Sequence, residues 1–370
     1  MGINVAVLAS EPEICRIRVA PLLDALTRAG AIADYVLLDR DLAPIGRRGF
    51  DAFNAVIVQR NVSRAQLRFL ARQRLRFVYD IDDLLPRLPA HQHRKKQETS
   101  RRIAWCLAHA DAVSTPNQKL AIELEEATGV SLQGRGIVVP NGLEPVAVDE
   151  SGWAVPARQL LWVSSDLPMI ETEAPGLAEA IATAANELGL KAILIGRFPD
   201  RIKSLFDRID YIPRLGFADY RRFLASLRRT IAVAPLPFHS ESHQAFIDSK
   251  SDIKAVDFLG HGIPAVYSAA WPYRNSDLDL APLVANEPHR WREAIADVAG
   301  HPAGHIDGPK VQAVHRQRSY ATVATMLGDQ LARSAMPYRP LPRPSINSVL
   351  RGWEQRIRQW RRSRRKSASR

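Results

Sequence analysis

Short apolar runs alternate with helical patterns along most of the chain, and the series starts twice. Ile3–Ala9, Tyr35–Leu38, Ala55–Gln59, Arg76–Asp80, Ala112–Ser114 and Ile137–Pro140 read as strands. They lack polar alternation, as strands do when both faces of a parallel sheet are covered. Helical spacing supplies the cover at Arg18–Arg28 (Val19, Leu22, Leu23, Leu26), Arg64–Arg74, Arg94–Ala108 and Asn117–Ala127. Leu143–Ala157, LEPVAVDESGWAVPA, has prolines, acids and no period, and reads as a linker. The series then restarts with strands at Leu160–Val163, Ala192–Ile195, Tyr211–Pro213, Ile231–Ala234 and Ala265–Ser268. Its helices are expected at Pro175–Leu188, Tyr220–Arg228, Asp252–Gly260, Pro288–Ala299 and Val311–Arg333. A chain of 370 residues also exceeds what one core usually fills.

The expected fold class is therefore α/β, with two facing Rossmann-like doubly wound domains and a basic C-terminal helix. The boundaries expected are 1–145 for the first domain, 146–157 for the linker and 158–310 for the second domain. A closing helix at 311–334, a proline-rich spacer at 335–345 and a basic amphipathic tail at 346–370 follow. Such sheets bind ligands beyond the carboxyl ends of their strands, so two facing units share a cleft.

Two cysteines, Cys15 and Cys106, give no disulfide framework and no CxxC motif, which fits a reducing cytoplasm. The sequence holds no apolar run long enough to span a membrane, and MGINVAVLAS reads as a first strand rather than a signal peptide. The net charge is +12, but residues 347–370 hold nine basic residues against Glu354, so +8 of it belongs to the tail. The body is not expected to bind nucleic acid. In the tail, Leu350, Trp353, Ile357 and Trp360 share one helical face. A helix of this kind suits an anionic membrane surface, with docking on the protein body as the plain alternative and nucleic acid as a third.

Three stretches carry candidate chemistry. VYDIDDLLP, 78–86, ends an apolar strand with Asp80, Asp82 and Asp83. A phosphotransferase DxDx[TV] motif fits poorly, because Leu84 stands at the Thr/Val position and two strands come first. A metal-binding DxD or a capping role for one acid are the other readings. The second stretch, SKSDIKAVDFLGHGIPAVYS at 249–268, reads as a helix begun at Asp252 and stopped at Gly260 or Gly262. Lys250, Lys254 and Asp257 lie on neighbouring turns; the bland reading of the last two is a surface ion pair, and the functional one a diphosphate site at a helix start. Third, Arg60 ends an apolar strand, while Arg16 and Arg18 sit where the first strand passes to its helix. His239, His243 and His261 form no metal-binding spacing.

Taken in order, these stretches resemble the family 4-type glycosyltransferases of GT-B architecture. The resemblance rests on Arg16-Ile17-Arg18, Val58-Gln59-Arg60, VYDIDDLL, Ala110–Pro116, Val139-Pro140-Asn141-Gly142, Ala232–Leu236 and KSDIKAVDFLGHGIPAVYS, over roughly residues 1 to 334. It implies transfer of a sugar from a nucleotide-sugar donor to a saccharide or lipid-linked acceptor in polysaccharide or glycan synthesis. Retention of configuration is implied, with no metal and no cofactor. The implied donor residues are Ser164, Ser165, Ser249, Lys250, Lys254, Asp257 and Gly262. Asp82 and Asp83 would orient sugar hydroxyls, Arg16 and Arg60 would contact the acceptor, and Asp80 would be structural. The sequence departs from the family where Ser249 replaces an acid and where Val163–Pro168 lacks an Arg/Lys pair. Those departures keep open a non-catalytic subunit; a sugar-nucleotide epimerase shares the architecture and is the other alternative.

Overall fold

Asn4–Ala9 forms β1, whose apolar run is buried on both faces as its composition requires. This computed structural model describes residues 2–46, 50–88, 96–164, 167–237 and 241–342. The tail at 346–370, the end of the proline-rich spacer at 343–345, Ser165 and His239 lie outside the described residues. After β1 come α1 (Pro12–Arg28), β2 (Asp34–Leu38), β3 (Pro44–Ile45), β4 (Ala52–Phe53), β5 (Ala55–Gln59), α2 (Arg64–Gln73) and β6 (Val78–Asp80). Then follow α3 (Lys96–His109), β7 (Ala112–Thr115), α4 (Gln118–Thr128) and β8 (Gly136–Val138). The sheet order is β3-β2-β1-β5-β6-β7-β8, parallel except for β3.

The second series gives β9 (Gln159–Ser164), α5 (Leu167–Glu173), α6 (Leu177–Glu187), β10 (Lys191–Gly196), α7 (Asp200–Lys203), β11 (Ile209–Ile212) and α8 (Phe217–Ser226). It continues with β12 (Thr230–Ala234), α9 (Glu241–Asp248), α10 (Ile253–Gly260), β13 (Ala265–Ser268), α11 (Trp271–Arg274), β14 (Leu283–Val284), α12 (Pro288–Gly300) and α13 (Gly308–Arg318). This sheet is wholly parallel, in the order β11-β10-β9-β12-β13-β14. Both sheets reverse their winding once, between β1 and β5 and between β9 and β12. Those switch points are where open α/β sheets bind ligands. The two Rossmann-like units expected from the sequence are present.

Two segments differ from the sequence reading. The linker is packed: Trp153 is buried and donates its indole N–H to the Gly262 carbonyl at 2.8 Å. The expected single closing helix is two, α13 and α14 (Tyr320–Ser334), because Ser319 adopts ψ 144 and caps the second with its hydroxyl. α14 returns to the first domain, where Val323, Leu327 and Leu331 pack with Val19, Leu22, Leu23 and Leu26 of α1. The chain then adds β15 (Arg339–Pro340) antiparallel to β4.

The chain thus crosses between domains twice, and the crossings are paired. Leu143 N–H donates to the Arg318 carbonyl at 2.8 Å, and Tyr320 N–H to the Leu143 carbonyl at 2.9 Å. Asn141 lies between two buried arginines: Arg18 donates to its Oδ1 at 3.1 Å and Arg318 to its carbonyl at 3.2 Å. Arg18 Nε also reaches both oxygens of Asp80, at 3.1 and 3.0 Å, and Ser114 Oγ donates to the same carboxylate at 2.6 Å. Arg318 binds Asp252 at 2.7 Å and also Asp277. Asp80 is thereby a structural residue, as its burial demands. Asp80→Asn keeps its shape but leaves Arg18 buried without a counter-charge. Urea unfolding should show a loss of about 3 kcal/mol; an unchanged midpoint would contradict this role.

Candidate functional site

Two joined cavities lie between the domains at the carboxyl ends of both sheets. Ser164, Ile253 and Lys254 line both. The first, about 250 Å³, sets Arg60, Asp82 and Asp83 of the first domain against Lys250, Leu236, Phe246 and Tyr273 of the second. The other, about 590 Å³, is bounded by Gly196, Arg197, Arg214, Phe217, Tyr220 and Asp257.

The first-domain wall is an ion network. Arg60 ends β5 with φ 60, held by its N–H on the Asp80 carbonyl at 2.7 Å and by Tyr79 Oη on its own carbonyl at 2.8 Å. From there its guanidinium meets Asp82 at 3.0 Å, Glu11 at 3.1 Å and Asp83 at 3.6 Å. Burial works against the Arg60 charge, yet Asp82, Asp83 and Glu11 hold its pKa above the usual arginine value. Burial pushes the Asp82 carboxyl upward, and Arg60 opposes this. Asp83 is shared across the cleft: Lys250 Nζ donates to both its oxygens at 3.1 and 3.2 Å, lying 3.9 Å from the centre of the Phe246 ring.

The second-domain wall is different, because Lys254, Arg197 and Arg214 make no ion pair among the described residues. Lys254 stands in the first turn of α10 and has no ion pair or side-chain hydrogen bond among the described residues. Burial, then the neighbouring Lys250, lowers its pKa to about 8. Asp252 occupies the N-cap position without capping, since its carboxylate is taken by Arg318 and Ser276. The start of α10 therefore faces the cleft without a side-chain cap. Arg197, after β10, and Arg214, after β11, are exposed and likewise make no ion pair among the described residues. Asp257, one turn on from Lys254, does not pair with it. Arg221 of α8 donates to Asp257 Oδ1 at 2.9 Å, and also to the Gly142 carbonyl at 2.9 Å and Tyr320 Oη at 2.6 Å. Burial raises the Asp257 pKa, and Arg221 opposes the shift.

Of the residues expected from the sequence, Asp82, Asp83, Arg60, Ser164, Lys250, Lys254 and Asp257 line this cleft. Three do not. Arg16 lies inside α1, which begins at Pro12 rather than Arg18; it is exposed, pairs with Glu13 at 3.0 Å, and borders a separate cavity beside Asp24 and Tyr35. Two positions apart on a helix point to different sides, so Arg18 turns inward and Arg16 outward. Ser249 is fully buried and its hydroxyl donates to the Ala245 carbonyl at 2.6 Å. Gly262 lies past the far end of α10, where φ 71 and a Val148 methyl 2.2 Å from any added Cβ explain the glycine. Arg197, Arg214 and Arg221 were not anticipated. The first two carry the same signal as Arg60, an arginine just after an apolar strand; Arg221 carries none. Among the described residues, no group of three His, Cys, Asp or Glu is placed to hold a metal ion.

No protein-family model matches the sequence, and no curated protein matches it. Solved structures do resemble it in three dimensions. Sucrose-phosphate synthase from Thermosynechococcus elongatus superposes with TM-score 0.61 at 13% identity, over 90% of this chain and 98% of that one. HepE from Anabaena, solved with UDP and glucose, gives 0.57 at 15% identity over 90% and 100%. The catalytic domain of starch synthase IV from Arabidopsis thaliana, solved with ADP and acarbose, gives 0.55 at 10% over 90% and 99%. The fold is that of the GT-B glycosyltransferases. In this GT-B chain Arg221 joins the α10 carboxylate to both interdomain crossings. Arg221→Ala should cost about 3 kcal/mol in denaturant unfolding, because it strands a buried carboxylate; a loss near zero would contradict the coupling.

Proposed function

We propose that this chain is a glycosyltransferase moving a sugar from a nucleotide-sugar donor to a saccharide or lipid-linked acceptor. The observation that carries the reading is Lys254, a half-buried cation that lines the cleft at the open start of α10 with no ion pair among the described residues. An unpaired charge in such a place is costly, and a diphosphate would offset that cost through charge and the helix N-terminus together. Arg197 and Arg214 supply further positive charge in the same cavity, in place of the Arg/Lys pair missing from 163–168. Asp257 and Tyr220 bound the region in which a ribose would lie. The nucleoside diphosphates and sugars in the structures of HepE and starch synthase IV support the reading by analogy of fold.

In this scheme the donor sugar extends from the diphosphate into the smaller cavity, against Asp82 and Asp83. Arg60 fixes both carboxylates and borders the acceptor side. Reaction on one face of the sugar retains configuration: the acceptor oxygen bonds to the anomeric carbon as the diphosphate leaves with the bonding pair. The acceptor proton passes to a leaving phosphate oxygen. Lysines and the helix start stabilise that oxygen's growing charge, and both substrates are held close. The scheme uses no metal or cofactor.

Calorimetry against nucleoside diphosphates and their sugars tests the site. Lys254→Ala should weaken binding about 100-fold, while a folded protein that binds none of the panel would refute the reading. The pH dependence follows from linkage. Lys254 has its pKa lowered to about 8 in the free protein, and a bound diphosphate raises it. Affinity is therefore fully present below pH 8 and falls about tenfold per unit above it, up to the pKa of the complex. A flat profile from pH 7 to about 10 would count against Lys254 as the ligand. Lys254→Met should also raise the melting temperature of the free protein by about 2 °C, by removing the desolvated charge.

A second reading has one observation behind it. Ser249 is turned inward and cannot stand in for the acid of the resembling family, which favours a GT-B subunit that binds a donor without transferring it. Measurable donor hydrolysis or transfer, lost in Asp82→Asn, would exclude that reading.

A further inference from the structure

We propose that Tyr273 selects the transferred sugar, donating its hydroxyl to an uncharged oxygen of a sugar that bears no acidic group. This rests on the proposed glycosyl transfer and narrows its donor. Tyr273 belongs to α11 and lines the smaller cavity but not the larger one. It is 2% exposed, yet its hydroxyl makes no hydrogen bond among the described residues. A buried tyrosine hydroxyl usually finds a partner, and leaving it without one costs stability. A ligand filling the cavity would supply the missing acceptor. Burial, then Asp252, raises the Tyr273 pKa, so the phenol keeps its proton and stays a donor.

The wall around this hydroxyl is poor in backbone donors. Pro235 and Pro237 line it and carry no N–H. The N–H of Leu236, between them, donates to Ser268 Oγ at 2.7 Å, and its carbonyl accepts from Asn286 Nδ2 at 2.6 Å. Ser268 in turn donates to Asn286 Oδ1 at 2.8 Å, and both residues are buried. The Pro-Leu-Pro segment is thereby fixed. Tyr273 is fixed as well: its ring packs 5.2 Å from that of Tyr267 in β13, and its N–H donates to the Ala270 carbonyl at 3.1 Å. The result is a placed donor on an apolar wall, the form that small-molecule sites commonly take.

The charges of the cavity exclude an acidic sugar. Asp82 and Asp83 line it and would repel a carboxylate. Arg60 already faces three acids, and Lys250 is bound to Asp83. Lys254 is assigned to the diphosphate. The hydroxyl groups of a neutral sugar, by contrast, donate to Asp82 and Asp83 and accept from Tyr273.

Calorimetry on the full chain tests this separately from the proposed function. The probes are UDP, ADP and GDP, each alone, linked to a neutral hexose and linked to glucuronate. With the base that binds best, the hexose form should bind about tenfold more tightly than the glucuronate form. Tyr273→Phe should weaken that nucleotide hexose about tenfold, the worth of one hydrogen bond, and leave the free diphosphate unchanged. The melting temperature of the free variant should not fall, because the hydroxyl has no partner there. An unchanged nucleotide-hexose affinity, an equal loss for the free diphosphate, a lowered melting temperature, or tighter binding of the glucuronate form would each overturn this inference alone. Failure of all three nucleotides to bind would overturn the proposed function with it.

Discussion

Asn141 sits between two buried arginines, and both walls of the cleft hang from that contact. Arg18 runs from Asn141 to Asp80, which fixes the end of β6 and so the start of the loop carrying Asp82 and Asp83. Arg318 runs from Asn141 to Asp252, which fixes the residue before α10 and so the approach to Lys254. Desolvating four such charges is expensive, and only close hydrogen-bonded pairing offsets it. Each ion pair lies within one domain, so a shift of the domains would break the bond from Arg318 to the Asn141 carbonyl that joins them. Two polar spokes on one asparagine thus set the separation of two surfaces built by distant parts of the chain.

Those surfaces divide the electrostatic work. The first-domain wall is acidic, because Arg60 is one cation against Asp82, Asp83 and Glu11. Such a wall accepts hydrogen bonds from hydroxyl groups and repels anions. The second-domain wall is left with unanswered positive charge on Lys254, Arg197 and Arg214. Lys250 is the exception, already occupied by Asp83 across the cleft. In the proposed scheme a diphosphate would compete with Asp83 for Lys250 and would meet no ion-pair competitor for Lys254 among the described residues. Local instability of this kind is what a binding site keeps and a core removes.

The fold was legible because it depends on a repeated, local signal. Apolar runs without alternation require cover on both faces, and the helices between them supply it. Arg60 and Lys254 were legible for the same reason, since strand ends and helix starts at switch points are where ligands meet these sheets. The misses have physical causes. α1 starts six residues earlier than its apolar spacing suggests, because Pro12 and Glu13 open it without contributing to the core. That shift sends Arg16 to solvent. Ser249 satisfies its hydroxyl four residues back along the chain, a bond no pattern announces. Arg221 meets Asp257 from 36 residues away, and only the packing of α8 on α10 brings them together. Arg197 and Arg214 follow the same rule as Arg60, each standing within two residues of a strand's carboxyl end.

In the proposed function Lys254 and the start of α10 receive a diphosphate. The decisive measurement is a crystal structure of the protein with a bound nucleoside diphosphate. A phosphate oxygen should lie within hydrogen-bond reach of Lys254 Nζ, with the ribose beside Asp257. A nucleotide bound elsewhere, with Lys254 still unpaired, would contradict it.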